Sequence, residues 1–237
     1  MQRIEGLMRR AIEDYDMIQE GDKIAVALSG GKDSVTLLYS LKNLQRYYNK
    51  KFEIKAITVN PGFEGFDENI LKNICSKIGV ELIIIKTNIK QIVFDERKEK
   101  NPCSLCANLR RGILNTEAKK RGLNKIALGH NEDDALETFI MNLIYAGRLG
   151  TFSPVSYMDR SDMTLIRPLI YVPEKLTKSF VKKNNIQIMP KVCKMDGTSK
   201  REYALNLLKQ LEINNKQTRA NMIGAIKRQK LDGWKET

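Results

Sequence analysis

At 237 residues, with 42% hydrophobic and 29% charged side chains, the chain is long enough for one α/β core plus an appendage and has the balance of a globular protein. Its longest apolar run, from Val80 to Ile85, already contains Glu81, which excludes a membrane-spanning helix; Met1-Gln2-Arg3-Ile4-Glu5 lacks the apolar stretch of a signal peptide, so a cytoplasmic protein with no membrane partner is expected. The 41 Lys and Arg against 28 Asp and Glu give a net charge of +13, which points to polyanionic partners, above all nucleic acid.

Apolar groups at Ile4, Leu7, Met8, Ile12 and Tyr15 fall at helical spacing and predict a first helix over about 3–17. Gly21 and Asp22 then turn the chain into a strand over 23–28, Ile24-Ala25-Val26-Ala27-Leu28 being its apolar run. Ser29-Gly30-Gly31-Lys32-Asp33-Ser34 follows directly and opens a helix over about 33–44. Such a strand–loop–helix junction is suited to phosphates: glycines let the backbone turn tightly, and successive N–H groups converge on an anion at the helix N-terminus. Lys32 and the hydroxyls of Ser29 and Ser34 supply further donors. The spacing is not that of the Walker A loop.

The alternation continues with strands over 53–59, 81–86 and 125–128 and helices over about 67–78, 105–121 and 132–145. Apolar strands separated by helices imply a doubly wound parallel sheet covered on both faces, with ligands at the carboxyl ends of its strands. Gly31, Asn60, Cys103 and Gly129 all follow predicted strands and fall on that edge. Beyond Gly147 a short hairpin over 155–165 is expected, with turn residues 159–162, then helices over about 173–183, 200–212 and 216–230. The division predicted is an N-terminal helix (1–20), a nucleotide-binding domain (21–172) and a basic helical C-terminal region (173–237). Lys191, Lys194, Lys200, Arg201, Lys209, Lys216, Arg219, Lys227, Arg228 and Lys230 make that last region read as an electrostatic footprint for RNA rather than a core element.

Four cysteines occur. Cys75 lies among Leu71, Ile74 and Ile78 on a predicted helix and reads as a buried, inert thiol. Cys103-Ser104-Leu105-Cys106, behind Asn101-Pro102, precedes a helical pattern whose dipole, with Arg110 and Arg111, is expected to lower the thiol pKa values. A redox dithiol needs only this pair. A zinc site usually needs four ligands, and His130 is the one histidine; an iron–sulfur cluster can draw a third thiol from Cys193 in Pro190-Lys191-Val192-Cys193. Three cysteines would hold a four-iron cluster with one iron free to bind hydrosulfide. Asn131, followed by Glu132, Asp133 and Asp134, also carries an ordinary reading as a helix cap.

Taken together, the Ser29–Ser34 loop, Cys103-x-x-Cys106 with Leu109-Arg110-Arg111-Gly112, Gly129-His130-Asn131-Glu132-Asp133-Asp134 with Glu137-Thr138, Arg167-Pro168-Leu169 and Cys193 resemble the tRNA 2-thiocytidine synthetase family of N-type ATP pyrophosphatases. The likeness runs from about Met8 to Asn206. It implies an ATP pyrophosphatase (PP-loop) sheet and an enzyme that adenylates the C2 oxygen of an anticodon-loop cytidine in tRNA, then inserts sulfur with a [4Fe-4S] cluster. On that resemblance Cys103, Cys106 and Cys193 hold the cluster, and Ser29, Gly30, Gly31, Lys32, Asp33 and Ser34 bind the pyrophosphate of ATP. Ala27, Val59 and Gly129 lie near the adenosine, Asp134 orients the phosphates or Mg²⁺, and Arg110 stabilises charge on the α-phosphate or a bound sulfide. A sulfur donor (free sulfide or a desulfurase system) and a homodimer are implied in the same way. Asn131 stands where many members carry a second histidine, and no cysteine-rich zinc ribbons flank the chain, which argues against the 2-thiouridine branch. The rival expectations are a lysidine synthetase-like adenylating enzyme, indifferent to Cys103 and Cys106, and a non-catalytic, metal-stabilised RNA-binding protein.

Overall fold

A computed structural model describes residues 1–97, 102–190, 193 and 200–236. Its centre is a six-stranded sheet in the order β3-β2-β1-β4-β6-β5, built from β1 (Asp22–Ala27), β2 (Phe52–Asn60), β3 (Leu82–Lys86), β4 (Lys125–Ala127), β5 (Val155–Met158) and β6 (Met163–Ile166). All neighbours run parallel except β5, which pairs antiparallel with β6 through the hairpin expected from the sequence. The chain leaves β1 toward β2 and β3 on one side and returns to place β4 on the other. The ends of β1 and β4 therefore flank the crevice where strand order reverses, the usual ligand edge of such sheets.

Side-chain alternation explains why the strands are apolar throughout. Ile24 and Val26 of β1 enter one buried cluster, while Ala25 enters the other on the opposite face. The first face is covered by α1 (Gln2–Asp14), α2 (Lys32–Leu44), α3 (Glu68–Ile78) and α5 (Glu132–Ala146); the second by α4 (Pro102–Lys120), through Leu114 and Ala118. Local signals set the helix ends. Asp67 accepts the Asn69 N–H at the start of α3, and Gly79 (φ 66°) ends that helix in the left-handed region.

The sequence differs from the structure in three places. The helix expected from residue 105 begins at Pro102, because proline suits the first helical position, so Cys103 and Cys106 lie within α4 rather than ahead of it. A single π-turn over Gln91–Glu96, which no periodicity announces, buries Ile89 and Val93 against Cys106. The basic C-terminal helices are also core elements: Phe180 of α6 (Glu174–Lys183), Ala204 and Leu208 of α7 (Lys200–Asn214), Ile226 of α8 (Thr218–Arg228) and Trp234 join the same apolar cluster as Ile4 and Met8. Among the described residues, no helix is long and apolar enough to cross a membrane.

Candidate functional site: a phosphate loop beside three cysteines

The Ser29–Ser34 loop joins β1 to α2. Gly30 has φ +82°, and a Cβ there would lie 2.6 Å from Met189 Cβ, so this position needs glycine for conformation and for room. Met189 N–H donates to Gly30 O at 2.9 Å, fastening the chain after α6 over the loop. Gly31 is the N-cap of α2 and makes no side-chain cap, which leaves the first N–H groups of the helix open to an anion. Ser29 Oγ and Ser34 Oγ are 3.0 Å apart.

Lys32 Nζ lies 2.8 Å from Asp33 Oδ2 and 2.8 Å from Glu174 Oε1. Burial works against its charge, but these two hydrogen-bonded carboxylates win and raise the ammonium above its ordinary pKa. Thr177 Oγ1 donates to Asp33 Oδ1 at 2.6 Å, so α6 supplies the wall opposite the loop. Nothing local in the sequence pointed to Glu174 or Thr177.

Gly129 follows β4 and presses on the same helix start. A Cβ on it would lie 3.0 Å from Ser34 N and 3.1 Å from Asp33 C. Ala27, Val59 and Gly129 thus stand at the ends of three neighbouring strands, β1, β2 and β4.

α5 opens with a capping box: Asn131 Oδ1 accepts the Asp134 N–H at 3.1 Å, and Asp134 Oδ2 accepts the Asn131 N–H at 3.0 Å. The acidic turn it begins is held by arginines from the C-terminal helices. Arg201 reaches Asp134 Oδ1 at 2.7 Å and Glu137 Oε2 at 3.6 Å, and Arg219 reaches Asp133 Oδ1 at 2.6 Å. These two basic residues, read from the sequence as RNA footprint, are committed to intramolecular pairs instead. Burial raises the Asp134 carboxyl against the pull of Asn131 N–H and Arg201, and lifts Glu137 to about 7.

Cys103 and Cys106 lie on the first turns of α4. Cys103 is exposed, Cys106 buried and Cys193 half-buried. Cys193 and Cys103 each act on the Cys106 thiol, so both lie within its electrostatic surroundings. The expected lowering of the Cys106 pKa is overturned: burial raises it, and the charge of Arg110, with a hydrogen bond to the sulfur, only partly offsets that. Among the described residues, no three His, Cys, Asp or Glu side chains converge on a point that a single metal ion would occupy. Cys75 is buried apart, its thiol pushed up to about 11 by burial. Asn101, Lys191, Val192 and Lys194, which the sequence reading drew on, lie outside the described residues.

His130 sits beside the nucleotide edge in an uncommon setting. Its ring packs on Phe152 with centroids 5.0 Å apart, its Nδ1 is buried without a partner among the described residues, and burial together with Arg167, Arg201 and Arg111 holds its pKa down to about 3. It is a neutral imidazole across the physiological range.

A family model described as a PP-loop domain matches residues 2–206. The chain is 36% identical over 227 residues, 94% of its own length and 89% of the relative's, to a protein of Citrifermentans bemidjiense named tRNA-cytidine(32) 2-sulfurtransferase. A Geobacter sulfurreducens protein of the same name is also 36% identical, with 94% of this chain and 88% of the relative covered. Among solved structures, the U34-tRNA thiolase NcsA from Methanococcus maripaludis with its [4Fe-4S] cluster superposes with a TM-score of 0.78 at 25% identity, covering 95% of this chain and 78% of that one.

Proposed function

Because this chain belongs to the PP-loop family, with tRNA-cytidine(32) 2-sulfurtransferases among its relatives, we propose that it is an ATP-dependent tRNA sulfurtransferase acting on C2 of cytidine 32 in the anticodon loop. One observation carries the reading: an open phosphate loop at the switch point of the sheet occurs in one chain with a Cys106 thiol on which both Cys103 and Cys193 act.

In this reaction the C2 oxygen of cytidine attacks the α-phosphorus of ATP, and pyrophosphate leaves. The oxygen is then part of an AMP leaving group, and sulfide replaces it at C2. The uncapped N–H groups of α2 and the Ser29 and Ser34 hydroxyls hold the departing pyrophosphate, where charge builds. Lys32 is drawn from Glu174 and Asp33 toward the phosphates, whose negative charge takes over from those carboxylates in favouring the ammonium. Gly129, Ala27 and Val59 offer backbone and apolar surface for the adenosine. Asp134 has both oxygens engaged, so it holds Mg²⁺ only once Arg201 gives way.

Cys103, Cys106 and Cys193 are the residues that would hold a [4Fe-4S] cluster, a reading supported by Cys193 and Cys103 both acting on the Cys106 thiol. When bound by these three residues, such a cluster would supply an iron without a protein ligand at which hydrosulfide could bind. The Arg110 guanidinium favours negative charge at the Cys106 sulfur and, like any guanidinium, is unsuited to moving a proton.

The test is iron, acid-labile sulfide and zinc content of protein prepared without oxygen, with AMP release and thiolation measured on the same samples. About four irons per chain, lost in Cys193→Ala together with thiolation while ATP binding persists, is the expected result. Retained thiolation in Cys193→Ala, or zinc in place of iron, overturns the cluster assignment. ATP turnover to AMP on tRNA with no sulfur incorporated points to a lysidine synthetase-like enzyme.

A further inference from the structure

A pocket opens against Lys32 on the side of α6. It measures 360 Å³, in the range of small-ligand pockets, and is lined by Lys32, Lys178, Lys182, Val181, Ile186 and Ile188. The chain builds it by doubling back. α6 ends at Lys183, Asn185 takes a left-handed φ of 49°, and Ile186 N–H donates to Val181 O at 3.0 Å. The stretch that follows returns to the phosphate loop, where Met189 N–H holds Gly30 O. One wall is therefore the C-terminal half of α6, and the other is the chain fastened to the loop.

Its cations form a row that starts at the loop. Glu174, Lys178 and Lys182 stand four residues apart and lie on one stripe of α6, each step about 6 Å along the axis. Glu174 Oε1 is 2.8 Å from Lys32 Nζ, and Glu174 Oε2 is 2.5 Å from Lys178 Nζ. Two ammonium groups, one from α2 and one from α6, thus meet on a single carboxylate. Lys182, one turn further out, is exposed and makes no ion pair among the described residues. Of the two lysines in the last turn of α6, Lys182 lines the pocket and Lys183 does not. None of the lining side chains is acidic.

We propose that Lys178 and Lys182, together with Lys32, receive the pyrophosphate released from the Ser29–Ser34 loop. The shared carboxylate marks where an anion goes: the two oxygens of Glu174 stand between the ammonium groups of Lys32 and Lys178, as one end of a diphosphate would. Breaking the bond to the α-phosphorus leaves a further negative charge on pyrophosphate and cuts its tether to the adenosine. It is then free to move outward along the lysine row while the rest of the nucleotide stays. A phosphodiester of RNA fits this pocket less well. It carries one negative charge against three cations, and a strand seated here would draw on the same Lys32 that ATP needs. The proposal rests on the adenylating reaction above and adds where its first product leaves.

Lys178 and Lys182 are both exposed, so replacing them leaves the core intact. Calorimetry on the full-length chain without tRNA measures binding of inorganic pyrophosphate and, separately, of ATP, at fixed salt and magnesium. The proteins are wild type, Lys178→Gln with Lys182→Gln, and Lys178→Arg with Lys182→Arg; tRNA binding is measured on the same three. The glutamine pair is expected to weaken pyrophosphate about tenfold and ATP by less than about twofold. The arginine pair keeps both charges and is expected to bind pyrophosphate within about twofold of wild type. Unchanged pyrophosphate affinity in the glutamine pair overturns the seat, and weaker tRNA binding in that case assigns the lysines to the RNA backbone. Equal weakening of ATP and pyrophosphate also overturns it, because the lysines would then grip the nucleotide rather than its product. If wild type binds ATP but not pyrophosphate, the seat alone falls; if it binds neither, the nucleotide-binding reading falls with it.

Discussion

In the proposed function ATP binding turns on Lys32, which the fold holds between two carboxylates. Its ammonium lies 2.8 Å from both Glu174 and Asp33, in a half-buried setting where ion pairs are stronger than on an open surface. ATP phosphates must compete with those carboxylates. Glu174→Gln removes one competitor and keeps the side-chain shape, so ATP affinity measured calorimetrically without tRNA is expected to rise about two- to fivefold; a fall would show that Glu174 helps place Lys32 for the phosphate. Glu137 gives a second residue-level expectation. Burial lifts its carboxyl to about 7 from an ordinary 4.5, so the folded protein keeps a proton there that the unfolded chain has released. Stability contributed by that proton is present below the lower value and is lost as pH rises through the higher one. Glu137→Gln, which cannot ionise, lacks this fall: relative to wild type it gains on the order of 2 kcal/mol between pH 5 and pH 8 in urea titrations. Parallel pH profiles for the two proteins would mean that Arg201 holds Glu137 ionised at all pH values tested.

At the scale of elements, the site is a contact between two loops and three helix starts. Gly129 is a tight backbone-to-backbone joint, since a methyl there would lie 3.0 Å from the backbone of Ser34. Gly129→Ala must part the β4–α5 loop from the start of α2, and is expected to weaken ATP binding more than tenfold while costing about 1–3 kcal/mol in denaturant stability. Equal ATP affinity in the variant would show that the loops can separate without cost. Much of this was legible in the sequence. The apolar strands, the glycine-rich junction and the Asn131 cap are local signals, each set by residues a few positions apart, and the elements they forecast are present. The pairs that close the site are not local. Thr177 meets Asp33 across 144 residues, Arg219 meets Asp133 across 86 and Arg201 meets Asp134 across 67. No periodicity encodes such partners, so Arg201 and Arg219 read from the sequence as unpaired tail charges. The Cys106 thiol was misjudged for a related reason. Helix dipole and Arg110 were visible in the sequence, but the burial that outweighs them comes from the Ile89–Val93 segment folding over α4.

Over the whole molecule, the question is whether residues 173–237 are a separate unit, as the sequence suggested. We expect them to unfold together with the nucleotide-binding sheet, because the C-terminus closes the core that the N-terminus begins. Trp234, the one tryptophan of the chain, is 1% exposed. Its Nε1 donates to Phe152 O at 3.1 Å, and its ring lies 6.3 Å from Tyr15 and 6.4 Å from Tyr171. Lys235 N–H donates to the Tyr15 hydroxyl at 3.3 Å, tying the chain's last residues to the end of its first helix. A single tryptophan at this joint makes its fluorescence a direct report on the contact between the two ends, while far-UV circular dichroism reports helices everywhere. In urea the two signals are expected to change at one midpoint. Trp234→Ala, which empties a large buried volume, is expected to lower stability measured by circular dichroism by about 3–5 kcal/mol. A tryptophan transition well below the helical one would show that the C-terminal helices leave the sheet on their own. The arginine clamp on Asp133 and Asp134 would then open independently of the core, and Arg201 could release Asp134 with the nucleotide-binding sheet still folded.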